Sequence, residues 1–258
     1  MCPRRYPGAV RLLTFNTLMK DDVRARLRVL GALLDRSEYD VVCLQEVMYR
    51  ANAMVIRRLA RSYGYHAHSG AVVLEGGLMV LSRVPITSSR FVRYPLARPI
   101  RPELLMRKGA QVVLVEAAGG TLAVVNTHLS ANRDDDWSLD NPYTLVQRAE
   151  LHRLADVVSA IEASVPVVVA GDLNVPRTSP ILAEFLAEAG MRDARAGDAE
   201  PTYRPTPRWP APPALDHVLI RGLTARTRLV FHDPVTLSGG SEAYLSDHYG
   251  IEFDLLPS

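Results

Sequence analysis

Several polar side chains stand where an apolar run stops, and these are the positions at which this sequence could do chemistry. Asn16 follows RLLTF, Glu46 follows VVCLQ, His128 follows LAVVNT, and Asp172 and Asn174 follow VVVAG. Asp216 opens the run DHVLI, and Asp247 with His248 precedes the last apolar segment. A sheet hands its chain to loops at such places, so side chains there line sites. Glu46 and the amide oxygen of Asn16 offer the oxygen shell that a hard divalent cation prefers. Asp172 and Asn174, two apart at a strand end, can share one face and hold a water between them. His128 and His248 supply groups that carry a proton or a positive charge near neutral pH. Together these types suit activation of water at a metal-bearing site.

Each residue also has a plainer explanation. Asn16 could be an ordinary turn amide, and Asp172 with Asn174 an Asx turn beside Gly171. Glu46 could open a helix and favour its dipole. His128 could be a satisfied histidine at a strand end. Asp216 beside His217, and Asp247 beside His248, could be surface ion pairs. Their joint occurrence in one order is what argues for a site.

The elements that must position them follow from periodicity. Val10 to Phe15, Asp40 to Gln45 and Val167 to Ala170 read as buried strands. Asp21 is expected to cap a helix carrying Val23, Leu27, Leu30 and Leu34. A second helix is expected over Ala51 to Tyr63. Gly76-Gly77 between Ala71–Leu74 and Leu78–Ser82 signals a hairpin, as does Gly119-Gly120 between Gln111–Ala117 and Thr121–Thr127. Asn141 followed by Pro142 begins a helix with Leu151, Leu154, Val158 and Ile161 on one stripe, and Ser179-Pro180 begins another with Ile181, Phe185 and Ala189. Strands follow near Asp216–Ile220, Arg226–Phe231 and His248–Leu255. Arg90 to Lys108, rich in arginine and proline, and the proline-rich Glu200 to Ala214 are expected to be irregular. Hairpins with intervening helices predict sheets packed on each other with helices outside.

The chain has 258 residues, is 48% hydrophobic, and suits one large domain over residues 1–258. A formal charge of +2 permits a polyanionic partner without requiring one. Cys2 and Cys43 cannot form a disulfide framework. The N-terminus has no signal-peptide pattern and no apolar run reaches membrane-span length, so cytoplasmic localisation is expected. Lys20 and Lys108 are the only lysines, which singles out Lys108 in an arginine-dominated chain.

The ordered set TFNT, LQEV, GGLMVLSRVPI, NTHLS, GDLN, LDHVLI and LSDHYGI resembles the endonuclease/exonuclease/phosphatase (DNase I-like) superfamily. The resemblance implies a four-layer α/β/β/α sandwich of two largely antiparallel sheets flanked by helices. It implies Mg²⁺, with Mn²⁺ as an alternative, held by Asn16 and Glu46 with Asp247 as a third or outer ligand. It assigns Asp172 to orient or deprotonate the water, Asn174 to position water or phosphate, and His128 and His248 to stabilise charge, with Asp216 orienting His248, whose alternative role is that of general base. His217, where many members have tyrosine, is read as structural.

His128 argues against exonuclease III-like repair enzymes, and Lys108-Gly109 is similar to the lysine-glycine pair of neutral sphingomyelinases, where Lys108 would contact the substrate phosphate. The expected activity is hydrolysis of a small or amphiphilic phosphoester: lipid-like, nucleotide or specialised metabolite. A DNase I-like nuclease is the alternative, because the arginines of Arg90 to Lys108 suit a nucleic-acid backbone equally well. A non-catalytic binding protein on the same scaffold would need a degenerate site. No obligate protein partner is implied.

Overall fold

The computed structural model describes residues 9–95, 106–117 and 119–257. Two six-stranded sheets face each other. The elements run β1 (Val10–Asn16), α1 (Val23–Asp35), β2 (Val41–Gln45), α2 (Arg50–Leu59), β3 (Tyr65–Ala67), β4 (Met79–Ser82), β5 (Ile86–Arg93), β6 (Gly109–Ala117) and β7 (Gly120–His128). They continue with α3 (Pro142–Ser159), β8 (Val167–Asp172), α4 (Pro180–Glu188), β9 (Arg192–Asp193), β10 (Asp216–Arg221), β11 (Leu223–Val230), a small ribbon of β12 (Val235–Thr236) and β13 (Glu242–Ala243), and β14 (Gly250–Pro257). One sheet has the order β11-β14-β1-β2-β4-β3 and the other β5-β6-β7-β8-β10-β9. Only β1 with β2, and β7 with β8, run parallel; the remaining described pairs are antiparallel.

Successive residues of the central strands feed different seams, which is why these strands read as continuous apolar runs. Leu12, Val41, Val80, Val124, Val168 and Phe253 pack between the sheets. Leu13, Val42, Leu44 and Leu81 pack under α1 and α2 with Leu27, Leu30 and Ile56. Val125, Val167 and Val169 meet Leu151, Leu154 and Phe185 from α3 and α4. Cys43 is a free thiol inside the inter-sheet seam. Four apolar layers in the order helix, sheet, sheet, helix result, as the resemblance implied. No described helix is long and apolar enough to cross a membrane.

Several local expectations change. Asp21 does not cap α1; Asp22 holds that position in a left-handed conformation without a side-chain cap. Asn141 does cap α3, accepting from the Tyr143 and Thr144 amides. α2 ends at Leu59, short of Tyr63. Gly119-Gly120 lies at the β6 to β7 turn as expected, but Gly76-Gly77 makes no hairpin. It closes a 3₁₀ turn, Glu75–Gly77, and β4 pairs instead with β2 and β3. Arg90–Arg93 belongs to β5 rather than to a loop, while Arg98, Arg101 and their neighbours over 96–105 lie outside the described residues.

A buried polar cluster ties β9 to β10. Arg177 Nε donates to Asp193 Oδ2 at 2.7 Å, and both side chains are under a tenth exposed. Arg177 also donates to the Asp216 carbonyl, and His217 Nδ1 faces Asp193 at 3.8 Å. His217 Nε2 meets the Val175 carbonyl at 2.8 Å, a structural contact. Burial alone would raise the Asp193 carboxyl, but His217, Arg177 and the Arg195 amide reverse this and hold it at about 2. A depressed carboxylate contributes stability above its unfolded value, lost as pH falls toward 2. Asp193→Ala strands a buried guanidinium and is expected to cost about 3–5 kcal/mol in urea unfolding at neutral pH. The cost should shrink as the pH drops below 4, and an equal cost at acid pH would refute the assignment.

Candidate active site

Strand register brings the polar residues to one end of the sandwich. In the second sheet Gly109 pairs with His128, His128 with Asp172, and Asp172 with Asp216, a continuous row across β6, β7, β8 and β10. Lys108 stands beside the start of that row. In the first sheet Asn16 pairs with Gln45, so Asn16 and Glu46 emerge from the ends of β1 and β2. Gln45 Nε2 donates to Asn126 Oδ1 at 2.8 Å, and Asn126 Nδ2 donates to the Leu44 and Met79 carbonyls. These buried amides lock one sheet to the other just beneath the site. Gly171 (φ +149) lets β8 approach β7 there, since a Cβ would stand 2.0 Å from the Thr127 carbonyl oxygen.

The row opens into a cleft of about 320 Å³ lined by Glu46, Lys108, His128, Asp172, Asn174, Asp247 and His248. Asn16 and Asp216 lie just behind, 1% and 2% exposed. All nine sequence-selected residues therefore meet around one cavity. Asp172 is at the centre: Oδ2 accepts from Asn16 Nδ2 at 3.0 Å and faces His128 Nε2 at 3.5 Å and His248 Nε2 at 3.7 Å. Its Oδ1 accepts from the Asn174 amide at 2.9 Å. His248 Nδ1 meets Asp216 Oδ2 at 2.8 Å. Glu46 accepts from the Met19 amide at 2.7 Å and from Asn16 Nδ2 at 3.4 Å.

Two of these side chains sit on unusual backbone. Glu46 (φ 62) and Asn174 (φ 53) are left-handed. For a glutamate this costs about 1–3 kcal/mol, offset by the surrounding contacts that hold it. The Val47 amide donates to Gly77, so the glycine turn missed as a hairpin fixes the Glu46 loop.

Charge divides the two histidines. Burial, Lys108 and His248 push His128 well below the ordinary imidazole value, so it is neutral. Burial also acts to lower His248, but Asp216 and Asp172 outweigh it and raise it to about 10, so it is a cation at neutral pH. Burial and then Asp216 raise the Asp172 carboxyl well above the usual range. Asp172 and Asp216 share the one cationic His248, so the buried pair keeps a net negative charge.

That excess, with the Glu46 and Asp172 carboxylates converging on the Asn16 side chain, fits a hard divalent cation. Asp172, Asp216 and His248 also present ligand atoms within 4.8 Å of one another. His248 Nδ1 is committed to Asp216, however, which leaves the oxygen-rich side toward Glu46 as the better cradle. Two placements, those of Asn16 and Asn174, differ from expectation. Asn16 turns its amide nitrogen to the two acids and its Oδ1 to the Leu18 amide. Asn174 places its side-chain amide on the Leu129 carbonyl and reaches Asp172 through its backbone. Asp247 lines the same cleft, held by Tyr203 Oη at 3.1 Å and by Ser246 Oγ, with its Oδ1 4.0 Å from His248 Nε2.

Met106, from the arginine-rich segment, lines the cavity too, and residues that sequence reasoning passed over complete it: Met19, Ala131, Arg133 and Tyr203. The Tyr203 ring stands edge-on to His248 with centroids 5.0 Å apart. Arg26, buried, spends its guanidinium on the Thr17, Leu18, Lys20, Asp21 and Leu245 carbonyls and so pins the loop that carries Met19. Arg204 does the same for Phe231, His232 and Ser246 while packed between Tyr244 and Tyr249.

The family model described as Endonuclease/Exonuclease/phosphatase family matches residues 13–248, and the chain belongs to that family. An inositol phosphosphingolipids phospholipase C of Schizosaccharomyces pombe is 31% identical over 158 residues, covering 58% of this chain and 36% of that protein. The chain thus spans about a third of the length of this relative. Sphingomyelinase C from Streptomyces griseocarneus superposes with a TM-score of 0.76 at 24% identity, over 95% of this chain and 99% of that one. A beta toxin mutant from Staphylococcus aureus, solved with bound magnesium ions, superposes with a TM-score of 0.74 at 18% identity, over 95% and 99% of the two chains.

Proposed function

We propose that the protein hydrolyses a small or amphiphilic phosphodiester, of the phosphosphingolipid type, by Mg²⁺-assisted attack of water. The single observation that carries this reading is Asp172, a buried carboxylate set between the Asn16 amide, neutral His128 and cationic His248 at the mouth of one cleft. Glu46, with Asn16 and Asp172, would hold the cation, which supplies Lewis acidity toward a phosphoryl oxygen and lowers the proton affinity of bound water. Asp172 orients the water and takes its proton. His248, held by Asp216, neutralises charge on the phosphoryl oxygens, and His128 donates a hydrogen bond without adding charge. Lys108, 8% exposed, provides a point charge on the phosphate. Asp247, reached through Tyr203, adjusts the cleft wall next to His248.

Among the described residues the cleft carries two cations, Lys108 and Arg133, besides its histidines. That is enough for one phosphate and few for a polyanion, which favours a compact headgroup over a nucleic-acid strand. The test is a panel of sphingomyelin, inositol phosphosphingolipid, bis-aryl phosphate, aryl phosphate and supercoiled plasmid, each with Mg²⁺ and with EDTA. Metal-dependent release of a phosphorylated headgroup or an aryl alcohol is expected, with activity abolished by EDTA and restored by Mg²⁺ or Mn²⁺. Plasmid nicking without lipid or aryl turnover would transfer the assignment to a nuclease, and turnover insensitive to EDTA would end it.

A further inference from the structure

A second cavity, of about 430 Å³, lies between the last turn of α2, the segment after it and the edge strand β3. It shares no lining residue with the catalytic cleft. Arg57, Arg58, Arg61 and His66 line it, with Tyr63 and Leu81 among its less exposed walls, and no Asp or Glu is among its lining residues. Among the described residues some exposed arginines pair with carboxylates, as Arg148 does with Glu184 and Arg153 with Asp156, and others, such as Arg24 and Arg28, do not; Arg57, Arg58 and Arg61 are set apart by lining one cavity together. Arg57 and Arg58 have no ion pair among the described residues, and Arg61 spends only its Nε, on the Arg58 carbonyl at 3.2 Å. The α2 dipole favours cations at Arg57 and Arg58, yet it accounts neither for Arg61 beyond the helix end nor for the concave surface they share.

We infer that this cavity is a binding site for a phosphate-bearing anion. Guanidinium forks recognise phosphate oxygens in pairs, which lysines do not. Burial, and then Arg57, hold the His66 imidazole below its ordinary value, so near neutral pH it offers an uncharged N–H beside the guanidiniums. The volume falls in the range of small-ligand pockets and exceeds what a bare phosphate needs. Met54, exposed at the rim, and Tyr63 give the organic part of an ester an apolar wall. The ligand is thus a phosphomonoester group, either on a soluble molecule or on a lipid head.

The experiment uses the full chain in EDTA, titrated calorimetrically with glycerol 3-phosphate and sedimented with phosphatidylcholine vesicles with or without phosphatidic acid. Arg57→Gln/Arg61→Gln is expected to weaken one of these probes about tenfold or more, with melting temperature and hydrolysis unchanged. Loss toward glycerol 3-phosphate identifies a soluble ester; loss confined to phosphatidic acid vesicles identifies a lipid head. Arg148→Gln/Arg153→Gln removes the same charge elsewhere and should bind as wild type. Lys108→Gln, which removes the lysine of the cleft, should leave this binding intact. Equal weakening by Arg148→Gln/Arg153→Gln, loss produced only by Lys108→Gln, or unaltered binding of both probes in natively melting Arg57→Gln/Arg61→Gln would each overturn the inference.

Discussion

Asp172→Asn is expected to reduce turnover by about 10²–10⁴-fold while leaving the fold intact or more stable. The amide has nearly the same shape but a single oxygen, so it keeps either the Asn174 backbone contact made at Oδ1 or the Asn16 contact made at Oδ2, and gives up the other. What is lost is the charge and the proton-accepting capacity facing the cleft. The stability effect has the opposite sign to the activity effect. Burial and Asp216 raise the Asp172 carboxyl, so in the metal-free protein its ionised form is disfavoured by folding. A raised carboxyl binds a proton more tightly folded than unfolded, so its burden on stability grows as pH rises above the unfolded value of about 3.9. The asparagine variant should therefore melt above wild type in EDTA at neutral pH, with the advantage vanishing near pH 4. Thermal melts at the two pH values, with kcat measured in saturating Mg²⁺, decide it. Full activity would refute the role of Asp172; lost activity with a lower melting temperature would reduce it to a folding defect.

Such opposition is what a reader of sequence can exploit, because polar residues at the ends of apolar strands conflict with the local pattern. Asn16, Glu46, His128 and Asp172 were legible for that reason, each following a run that reads as buried on both faces. The β6 to β7 hairpin was legible from Gly119-Gly120 between two β-rich runs. The same signal failed at Gly76-Gly77, where the turn supports Glu46 across space instead of joining neighbours in sequence. β3 is a three-residue edge strand and leaves no periodic trace. Tyr203 was invisible because its loop is rich in proline and has no period; an aromatic shortly before LDHVLI was the one available hint. Arg26 is not singled out by the sequence, because its guanidinium is consumed by carbonyls that only the folded loops bring within reach.

His248 and Asp216 are expected to behave as one unit. His248→Gln should lower kcat by about 10²–10³-fold, the cost of removing a donor aimed at developing phosphoryl charge. Asp216→Asn should lower it through the same histidine, so the double variant should fall little below His248→Gln alone, with a coupling energy of about 1–3 kcal/mol. The pH profile separates this from a structural effect. Burial by itself lowers the His248 pKa, and Asp216 and Asp172 together raise it to about 10. A raised histidine keeps its proton, and the stability of its ion pair, through neutral pH and loses both as pH rises through the folded value. Wild type should thus retain activity into the alkaline range. Asp216→Asn removes the strongest partner that raises the histidine, and the alkaline limb of kcat should move to lower pH. In His248→Gln that limb should disappear. A limb unmoved by Asp216→Asn would assign the alkaline group elsewhere, whereas a shift without a change in melting temperature ties the charge on His248 directly to the rate.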